Sequence, residues 1–285
     1  MRLLNSIIII LICLPYLHLK AQEKEVVKKD IGWGQSFELE SRVLGEIRTL
    51  NVYLPLNFKE NDTQRYDVIY LLDGGLDEDF LHIAGLVQFA GLPWVGDLPP
   101  CIVVGIANTD RKRDMAFPTR VAEHKTKYPT TGGSSRFIKF IKEEVKPFIG
   151  ARFKTGHSNY LIGQSLAGLL ATEILLSEPD LFSHYIIVSP SLWWDNGSLL
   201  QKQTEALKKT RLNIYIAVGK EGLTPEPHPR VMEVDAYLLE DKLKKMLSKD
   251  SELYMDYLPQ ETHGTITHQA VYNAFRKFGL KQKKG

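Results

Sequence analysis

Cysteine is scarce in this chain of 285 residues, occurring at Cys13 and Cys101. Cys13 lies in an apolar N-terminal stretch that we expect to be removed, so the mature protein would keep Cys101 alone. An intramolecular disulfide is therefore excluded, even if the protein is exported. Cys101 opens an apolar run and is most simply interpreted as a small core residue.

An excess of charge of either sign is also missing. Lysine and arginine number 36 and aspartate and glutamate 34, which gives a formal net charge of +2. This balance gives no reason to expect nucleic acid as a partner. Internal repeats and low-complexity blocks are lacking too, which favours one ordinary globular domain.

The apolar run Ile7–Leu14 is too short to cross a membrane comfortably. It follows a basic start and leads to the small residue Ala21 before a polar segment, which is the pattern of a secretory signal peptide. We therefore expect residues 1–21 to be a signal peptide and residues 22–285 to form the mature domain. The mature protein would be periplasmic or secreted, without stable membrane insertion.

Strand and helix patterns alternate through the rest of the chain. Tyr66–Leu72 and Cys101–Ile106 are continuous apolar runs typical of buried parallel strands, and Phe80–Ala90 between them has helical periodicity. Phe37–Ser41 and Glu46–Leu54 predict an antiparallel hairpin at the start. The fold class is therefore α/β, with a mostly parallel sheet covered by helices on both faces.

The later elements follow the same alternation, while residues 108–133 show no periodicity and are expected to form a long, functional loop. The predicted later elements are helix Arg136–Ile149, a strand before Ser165 and a helix after it, strand Tyr185–Val188, a helix around Leu199–Leu207, strand Asn213–Val218, helix Val231–Leu247, strand Leu253–Leu258 and helix Gln269–Phe278.

Ser165 lies between a short apolar run and an apolar helical pattern, in the sequence Gly163–Gln164–Ser165–Leu166–Ala167. Strand, sharp turn and helix in this order form a nucleophile elbow, which lifts the serine hydroxyl above the C-terminal edge of the sheet. The usual motif is Gly-x-Ser-x-Gly, and Ala167 departs from it. A serine before a helix can also be a plain N-cap.

A serine nucleophile needs a histidine base, which in this fold follows the last strand. His263 lies in the loop after the strand Leu253–Leu258, where the base is expected. Its rival is His268, nearer the helix start, where a solvated or capping role is more natural. We predict His263 as the base.

The acid that orients the histidine is expected after an earlier strand. Glu221 follows the strand Asn213–Val218, at the usual place. Asp195 and Glu226 are alternatives, and each of the three could instead be a solvated surface charge. Glu221 is the predicted acid.

Two N–H groups must stabilise the oxyanion of acyl transfer. Leu166 supplies one by its position after the serine, and the turn Asp73–Gly74–Gly75 after an early strand supplies the other, with Gly75 as the predicted donor. The alternative is that the glycines merely form a turn.

Five motifs occur in the order found in the putative-esterase family of α/β-hydrolases, and the chain resembles that family from about Phe37 onward. They are Tyr70–Leu71–Leu72–Asp73–Gly74–Gly75, Arg113–Asp114–Met115, Gly163–Gln164–Ser165–Leu166–Ala167–Gly168, Ser189–Pro190–Ser191–Leu192–Trp193–Trp194–Asp195 and His263–Gly264. The family includes enterochelin, salmochelin and feruloyl esterases and esterase D. The resemblance implies the α/β-hydrolase fold, with Ser165 as nucleophile and His263 as base. Some members work without a well-placed acid, so the acid stays open.

Trp193 and Trp194 follow a strand close to the predicted site, and their rings suit planar acyl groups such as catecholates or cinnamates. Arg113, with Arg111 and Lys112, could attract an anionic substrate. Core packing for the tryptophans and a solvated or structural role for Arg113 are the alternatives.

These residues together predict an exported serine esterase that cleaves small-molecule carboxylic esters through an acyl-enzyme. The substrates would be siderophore or aryl esters, and no metal or organic cofactor is expected. The alternatives are an acyltransferase on the same fold and a non-catalytic ligand-binding protein. The sequence leaves the oligomeric state open.

Overall fold

The computed structural model describes residues 28, 32–56, 58–60, 63–226 and 228–282. The predicted signal peptide, residues 1–21, lies outside these residues, and the start of the mature domain at residue 22 stays a prediction. Residues from Trp33 onward form a compact unit that carries the elements described below.

Eight strands form one sheet in the described part of the chain, in the order β1-β2-β4-β3-β5-β6-β7-β8. β1 pairs with β2 and β2 with β4 in antiparallel fashion, and all other neighbours are parallel. The strands are β1 Gln35–Ser41, β2 Glu46–Tyr53, β3 Tyr66–Leu72, β4 Cys101–Ile106, β5 Thr155–Gln164, β6 His184–Val188, β7 Asn213–Gly219 and β8 Glu252–Leu258.

Helices cover both faces of this sheet. They are α1 Phe80–Ala90, α2 Arg111–Met115, α3 Ala122–Lys127, α4 Ser134–Phe140, α5 Lys146–Arg152, α6 Leu166–Ser177, α7 Met232–Met246 and α8 Ile266–Gln282, with a π-helical turn Ile141–Val145 between α4 and α5. Successive side chains of a strand point to opposite faces. In β3, Tyr70 and Leu72 accordingly pack with α4 to α7, whereas Ile69 and Leu71 pack with α1 and α8.

The prediction of a mostly parallel sheet with an N-terminal hairpin is confirmed. Strands Tyr66–Leu72 and Cys101–Ile106 and helix Phe80–Ala90 have the predicted bounds. The two strands are runs of mainly apolar residues, as burial in a parallel sheet requires, and the helix has a buried apolar face. None of the helices in the described residues is long and apolar enough to span a membrane.

Two local predictions were wrong. The region after β4 contains the short helices α2 and α3, where no regular structure was predicted. The helix predicted around Leu199–Leu207 is replaced by two 3₁₀ segments, Trp194–Gln201 and Ala206–Lys208. The first contains three consecutive residues with left-handed backbone angles, Asp195, Asn196 and Gly197. A left-handed turn cannot continue a right-handed helix, so the helical pattern is interrupted there.

Cys101 is the basis of a first prediction, because its thiol is buried in the sheet. The residue is 1% exposed, and its Sγ lies 3.2 Å from the Pro99 carbonyl oxygen. Burial raises the pKa of the Cys101 thiol, and the thiolate is the reactive form. We expect Ellman's reagent to modify residues 22–285 slowly in native buffer and to titrate one thiol in guanidinium chloride. Complete reaction of the native protein within minutes would contradict this burial.

Candidate active site

Ser165 occupies a sharp turn between β5 and α6. Its backbone has φ +62° and ψ −119°, a strained conformation for a residue with a side chain. The turn is fixed on both sides, because the Ser165 N–H donates to the Val188 carbonyl oxygen at 3.0 Å and the Ser165 carbonyl accepts from Ser191 N–H at 3.0 Å. This is the local geometry of a nucleophile elbow.

Small residues around the turn allow β5 and α6 to approach closely. A Cβ atom on Gly163 would lie 2.4 Å from the carbonyl oxygen of Ala167, and one on Gly168 would lie 2.9 Å from Cα of Pro190. Ala167 itself is fully buried in the core. Position 167, where the usual motif has its second glycine, therefore accepts a methyl group here. Gly163 and Gly168 lie where the backbone of the turn meets neighbouring backbone most closely.

Replacing Gly163 with alanine is expected to destabilise the protein by about 1–3 kcal/mol, because the new methyl group overlaps a backbone carbonyl rather than a flexible side chain. Any activity that depends on the Ser165 hydroxyl should fall about 100-fold, because the shift displaces Ser165, two residues away. Gly150→Ala in α5 is the matched control, since a Cβ atom on Gly150 would have no neighbouring atom within 4 Å. Equal stability of the two variants in chemical denaturation would contradict the close packing.

The side chains of Ser165, His263 and Glu221 form a continuous hydrogen-bonded chain. His263 Nε2 lies 3.0 Å from Ser165 Oγ, and His263 Nδ1 lies 2.5 Å from Glu221 Oε2. The three residues follow β5, β8 and β7, whose C-terminal ends meet at one edge of the sheet. The geometry suits a neutral histidine whose Nδ1–H donates to Glu221 and whose Nε2 accepts from the serine hydroxyl, a tautomer assigned from these hydrogen-bond partners.

Hydrogen bonds connect the loop that carries His263 to the elbow and to the loop that carries Glu221. The Gln164 side chain donates from Nε2 to the His263 carbonyl oxygen at 2.9 Å. The N–H of Lys220 donates to the Glu261 carbonyl oxygen at 2.8 Å, and a Cβ on Gly219 would lie 2.6 Å from that oxygen. The position of His263 is therefore tied to both the elbow and the acid loop.

Glu221 is arranged to stay ionised in a largely buried position. Its side chain is 4% exposed, against 46% for His263. Burial opposes the charge, but hydrogen bonds from His263 and from the Ser189 hydroxyl outweigh it and hold the pKa of Glu221 below its ordinary value. Ser189 has φ +41° at the end of β6. This role of Ser189 was not predicted from the sequence, although Ser189 directly follows β6, which lies between β5 and β7.

The alternative residues are bonded elsewhere. Asp195 accepts hydrogen bonds from the Thr119 hydroxyl at 2.8 Å and from the Arg120 N–H at 2.6 Å. Glu226 accepts from Tyr128 Oη and from Lys127 Nζ. Neither carboxylate is bonded to His263 in the structure.

His268, the alternative base, lies on α8, and its Nδ1 is 2.8 Å from Nε2 of His82 on α1. The Ser165 hydroxyl is instead bonded to His263. Among the described residues, no three histidine, cysteine, aspartate or glutamate side chains are grouped closely enough to hold a metal ion.

The predicted oxyanion donors lie on the two expected turns. Leu166 begins α6, where an N–H has no partner inside the helix. The Gly75 N–H follows β3 and donates to Glu78 Oε2 at 2.7 Å. This second donor is thus already occupied by a carboxylate of its own turn.

A charged network links the turn after β3 to the elbow. Arg111 pairs with Asp73 through Nε at 2.6 Å and Nη2 at 2.8 Å, and its Nη2 also lies 3.3 Å from the Gln164 carbonyl oxygen. Burial disfavours the charge of Arg111, but the Asp73 carboxylate outweighs it and raises the pKa of the guanidinium. Arg111 therefore holds the carbonyl next to Ser165 against the turn that carries Gly75.

Comparison with known proteins identifies the family of this chain. The model of the family described as Putative esterase matches residues 41–256. The chain belongs to the putative-esterase family. The predicted family resemblance is thereby confirmed, and the sheet order with its helical layers is that of the α/β-hydrolase fold.

Two siderophore esterases are similar to more than half of this chain. The ferri-bacillibactin esterase BesA of Bacillus subtilis is 29% identical over 194 residues, 61% of this chain and 66% of that protein. The siderophore triacetylfusarinine C esterase of Aspergillus fumigatus is 30% identical over 177 residues, 55% of this chain and 56% of that protein. The matches thus span less than two thirds of these curated relatives.

A solved structure of an IroE-like serine hydrolase from Shewanella oneidensis is similar over a larger share. Its sequence identity is 33%, and the TM-score is 0.76. The superposition covers 86% of this chain and 80% of that one. The likeness therefore extends over most of the chain.

Two of the residues predicted to bind substrate have other roles in the structure. Trp194 is 1% exposed, stacks on His124 and donates from Nε1 to the Phe117 carbonyl oxygen at 2.9 Å. Its placement at a substrate surface is therefore corrected to a core position, because both its ring face and its polar atom are used inside the protein.

Arg113 forms ion pairs within the protein, which supports the structural role raised as an alternative from the sequence, and its role in substrate binding stays a prediction. Its guanidinium bonds Glu46 at 2.6 Å and Asp114 at 2.7 Å, and these hydrogen bonds raise its pKa. Trp193 differs from Trp194, since it is partly exposed and packs against Tyr128 and His124. A role for Trp193 in substrate binding stays a prediction.

Proposed function

We propose that the protein is an exported serine esterase that hydrolyses carboxylic esters through an acyl-enzyme. The observation that carries the proposal is the hydrogen-bonded chain Ser165–His263–Glu221 at the C-terminal edge of the sheet. A serine at 3.0 Å from an imidazole that is itself paired with a carboxylate is the arrangement that activates a hydroxyl for acyl transfer. Export rests on the N-terminal sequence pattern alone.

In the proposed reaction, His263 accepts the Ser165 proton as Oγ attacks the ester carbonyl. The oxyanion is stabilised by the N–H groups of Leu166 and Gly75. His263 then gives its proton to the leaving alkoxide, and water, activated by the same imidazole, hydrolyses the acyl-enzyme. Glu221 keeps the imidazole oriented and stabilises its charged form throughout.

We propose siderophore esters as the substrates, with aryl esters such as feruloyl esters as the alternative acyl chemistry. The names of the two curated relatives support the first, since both are siderophore esterases. Trp193, which is partly exposed and follows the Ser189–Pro190–Ser191 turn, would contribute an aromatic surface for either acyl group.

Residues 22–285 should be assayed with p-nitrophenyl acetate, p-nitrophenyl butyrate, methyl ferulate and enterobactin, with product analysis by chromatography. We expect hydrolysis of the activated esters and a higher kcat/KM for enterobactin than for methyl ferulate. The reverse order would favour an aryl esterase. A wild-type protein that acts on none of the four faster than the buffer would contradict the esterase proposal.

A further inference from the structure

The turn after β3 contains a carboxylate that the proposed reaction does not use. Glu78 Oε2 accepts a hydrogen bond from the Gly75 N–H at 2.7 Å. In the proposed reaction this N–H must instead face the substrate oxygen as that oxygen becomes negative. Carboxylate and oxyanion compete for one donor, so they cannot both occupy it.

The backbone of the turn cannot move aside to relieve this competition. The Gly74 N–H donates to the Ile106 carbonyl oxygen at 3.0 Å, and the Gly74 carbonyl accepts from the Asn51 side chain at 2.9 Å. A Cβ on Gly74 would lie 2.3 Å from Cα of Gly105, so the two backbones are in direct contact. The direction of the Gly75 N–H is thereby fixed, and the Glu78 side chain is the part that must move.

The Glu78 side chain is free to rotate away from the Gly75 N–H. Its side chain is partly exposed, and its backbone N–H is held separately by the Gly75 carbonyl oxygen at 3.1 Å. The structure gives its other carboxylate oxygen one hydrogen bond among the described residues, from Asn108 Nδ2 at 2.6 Å. Asn108 also donates to Asp73, so this amide is shared between two carboxylates. Side-chain rotation can release the Gly75 N–H without moving the backbone.

We propose that Glu78 is a gate on the oxyanion site, closed in the free protein and opened when an ester carbonyl takes its place on the Gly75 N–H. The inference rests on the proposed esterase function. The exchange replaces one hydrogen bond with another and transfers no proton. The carboxylate also has to withdraw because a negative charge beside the developing oxyanion opposes it.

Glu78→Gln tests the gate because glutamine keeps the length and the acceptor oxygen of the side chain but loses its charge. A hydrogen bond to a charged acceptor is stronger than one to a neutral amide, so the variant should open more readily, and kcat/KM for p-nitrophenyl acetate should rise about tenfold. Glu60→Gln is the matched control, since it makes the same substitution at an exposed carboxylate that precedes β3, at the other end of that strand from the turn that carries Gly75. Its kcat/KM should stay within about twofold of wild type.

Inhibition by phenylboronic acid provides a second readout, because addition of Ser165 Oγ to boron creates a tetrahedral anion with an oxygen in the oxyanion site. Glu78→Gln should bind this inhibitor about tenfold more tightly than wild type, in parallel with kcat/KM. An unchanged or lower kcat/KM in an active, folded variant, or faster turnover without tighter inhibition, would overturn the gate alone. A wild type that neither hydrolyses the ester nor binds the boronic acid would overturn the esterase proposal and the gate with it.

Discussion

Replacing Ser165 with alanine is expected to lower kcat/KM for ester hydrolysis by about 10⁴- to 10⁶-fold, because the variant retains the oxyanion donors but has no nucleophile. The fold should persist. The Ser165 backbone makes the contacts that hold the turn, through Val188 and Ser191, and alanine keeps both. Initial rates with p-nitrophenyl butyrate, together with thermal unfolding followed by circular dichroism, measure the two expectations.

Ser177→Ala is the matched control for this variant. Ser177 ends α6, is exposed, and bonds the Glu173 carbonyl oxygen within the helix. Its replacement removes the same hydroxyl group from the opposite end of the same helix, and the rate should be unchanged. If Ser165→Ala hydrolysed esters as fast as the Ser177→Ala protein, Ser165 would not be the nucleophile.

The second large effect is expected at Glu221, where glutamine should lower kcat by about 10⁴-fold. With its N–H group on His263 Nδ1, the amide would force the imidazole proton onto Nε2, which could then no longer accept the serine proton. The opposite amide orientation would set the NH2 group against the Gly219 N–H, a donor facing a donor. KM should change little, since Glu221 is buried behind the histidine. Steady-state kinetics on p-nitrophenyl butyrate separates the two constants.

Asp195→Asn decides between the acids considered from the sequence. Asp195 supports the Thr119–Arg120 segment, so its replacement should cost stability and leave most of the rate. Burial opposes the Asp195 charge, but hydrogen bonds from Arg120, Ser198 and Thr119 hold its pKa below the ordinary value. A loss of rate by orders of magnitude in Asp195→Asn but not in Glu221→Gln would reverse the assignment.

Much of the central sheet could be predicted because buried strands are recognisable in the sequence as continuous apolar runs. A strand such as Tyr66–Leu72, with helices on both faces, must be apolar nearly throughout. The proximity of Ser165, Glu221 and His263 could also be predicted, since each follows a parallel strand and those strand ends lie along one edge. The position of each residue directly after a parallel strand is therefore enough to predict that the three side chains lie close together.

Contacts between distant segments could not be predicted in the same way. Arg113 meets Glu46 across 67 residues, and nothing near either residue indicates the pair. Helix α2 is five residues long, and it depends on tertiary bonds such as the buried pair between Asp114 and Arg48 rather than on periodicity. The burial of Trp194 similarly depends on its contact with His124, which lies on helix α3, much earlier in the chain.

Covalent labelling with a fluorophosphonate is the most direct test of Ser165 as an activated nucleophile. Residues 22–285 would be treated with the probe, digested and analysed by mass spectrometry, with Ser165→Ala and heat-unfolded wild type as controls. We predict one adduct per chain, located on Ser165 and absent from both controls. An unlabelled folded wild type, or an adduct at another serine that persists in Ser165→Ala, would contradict the account.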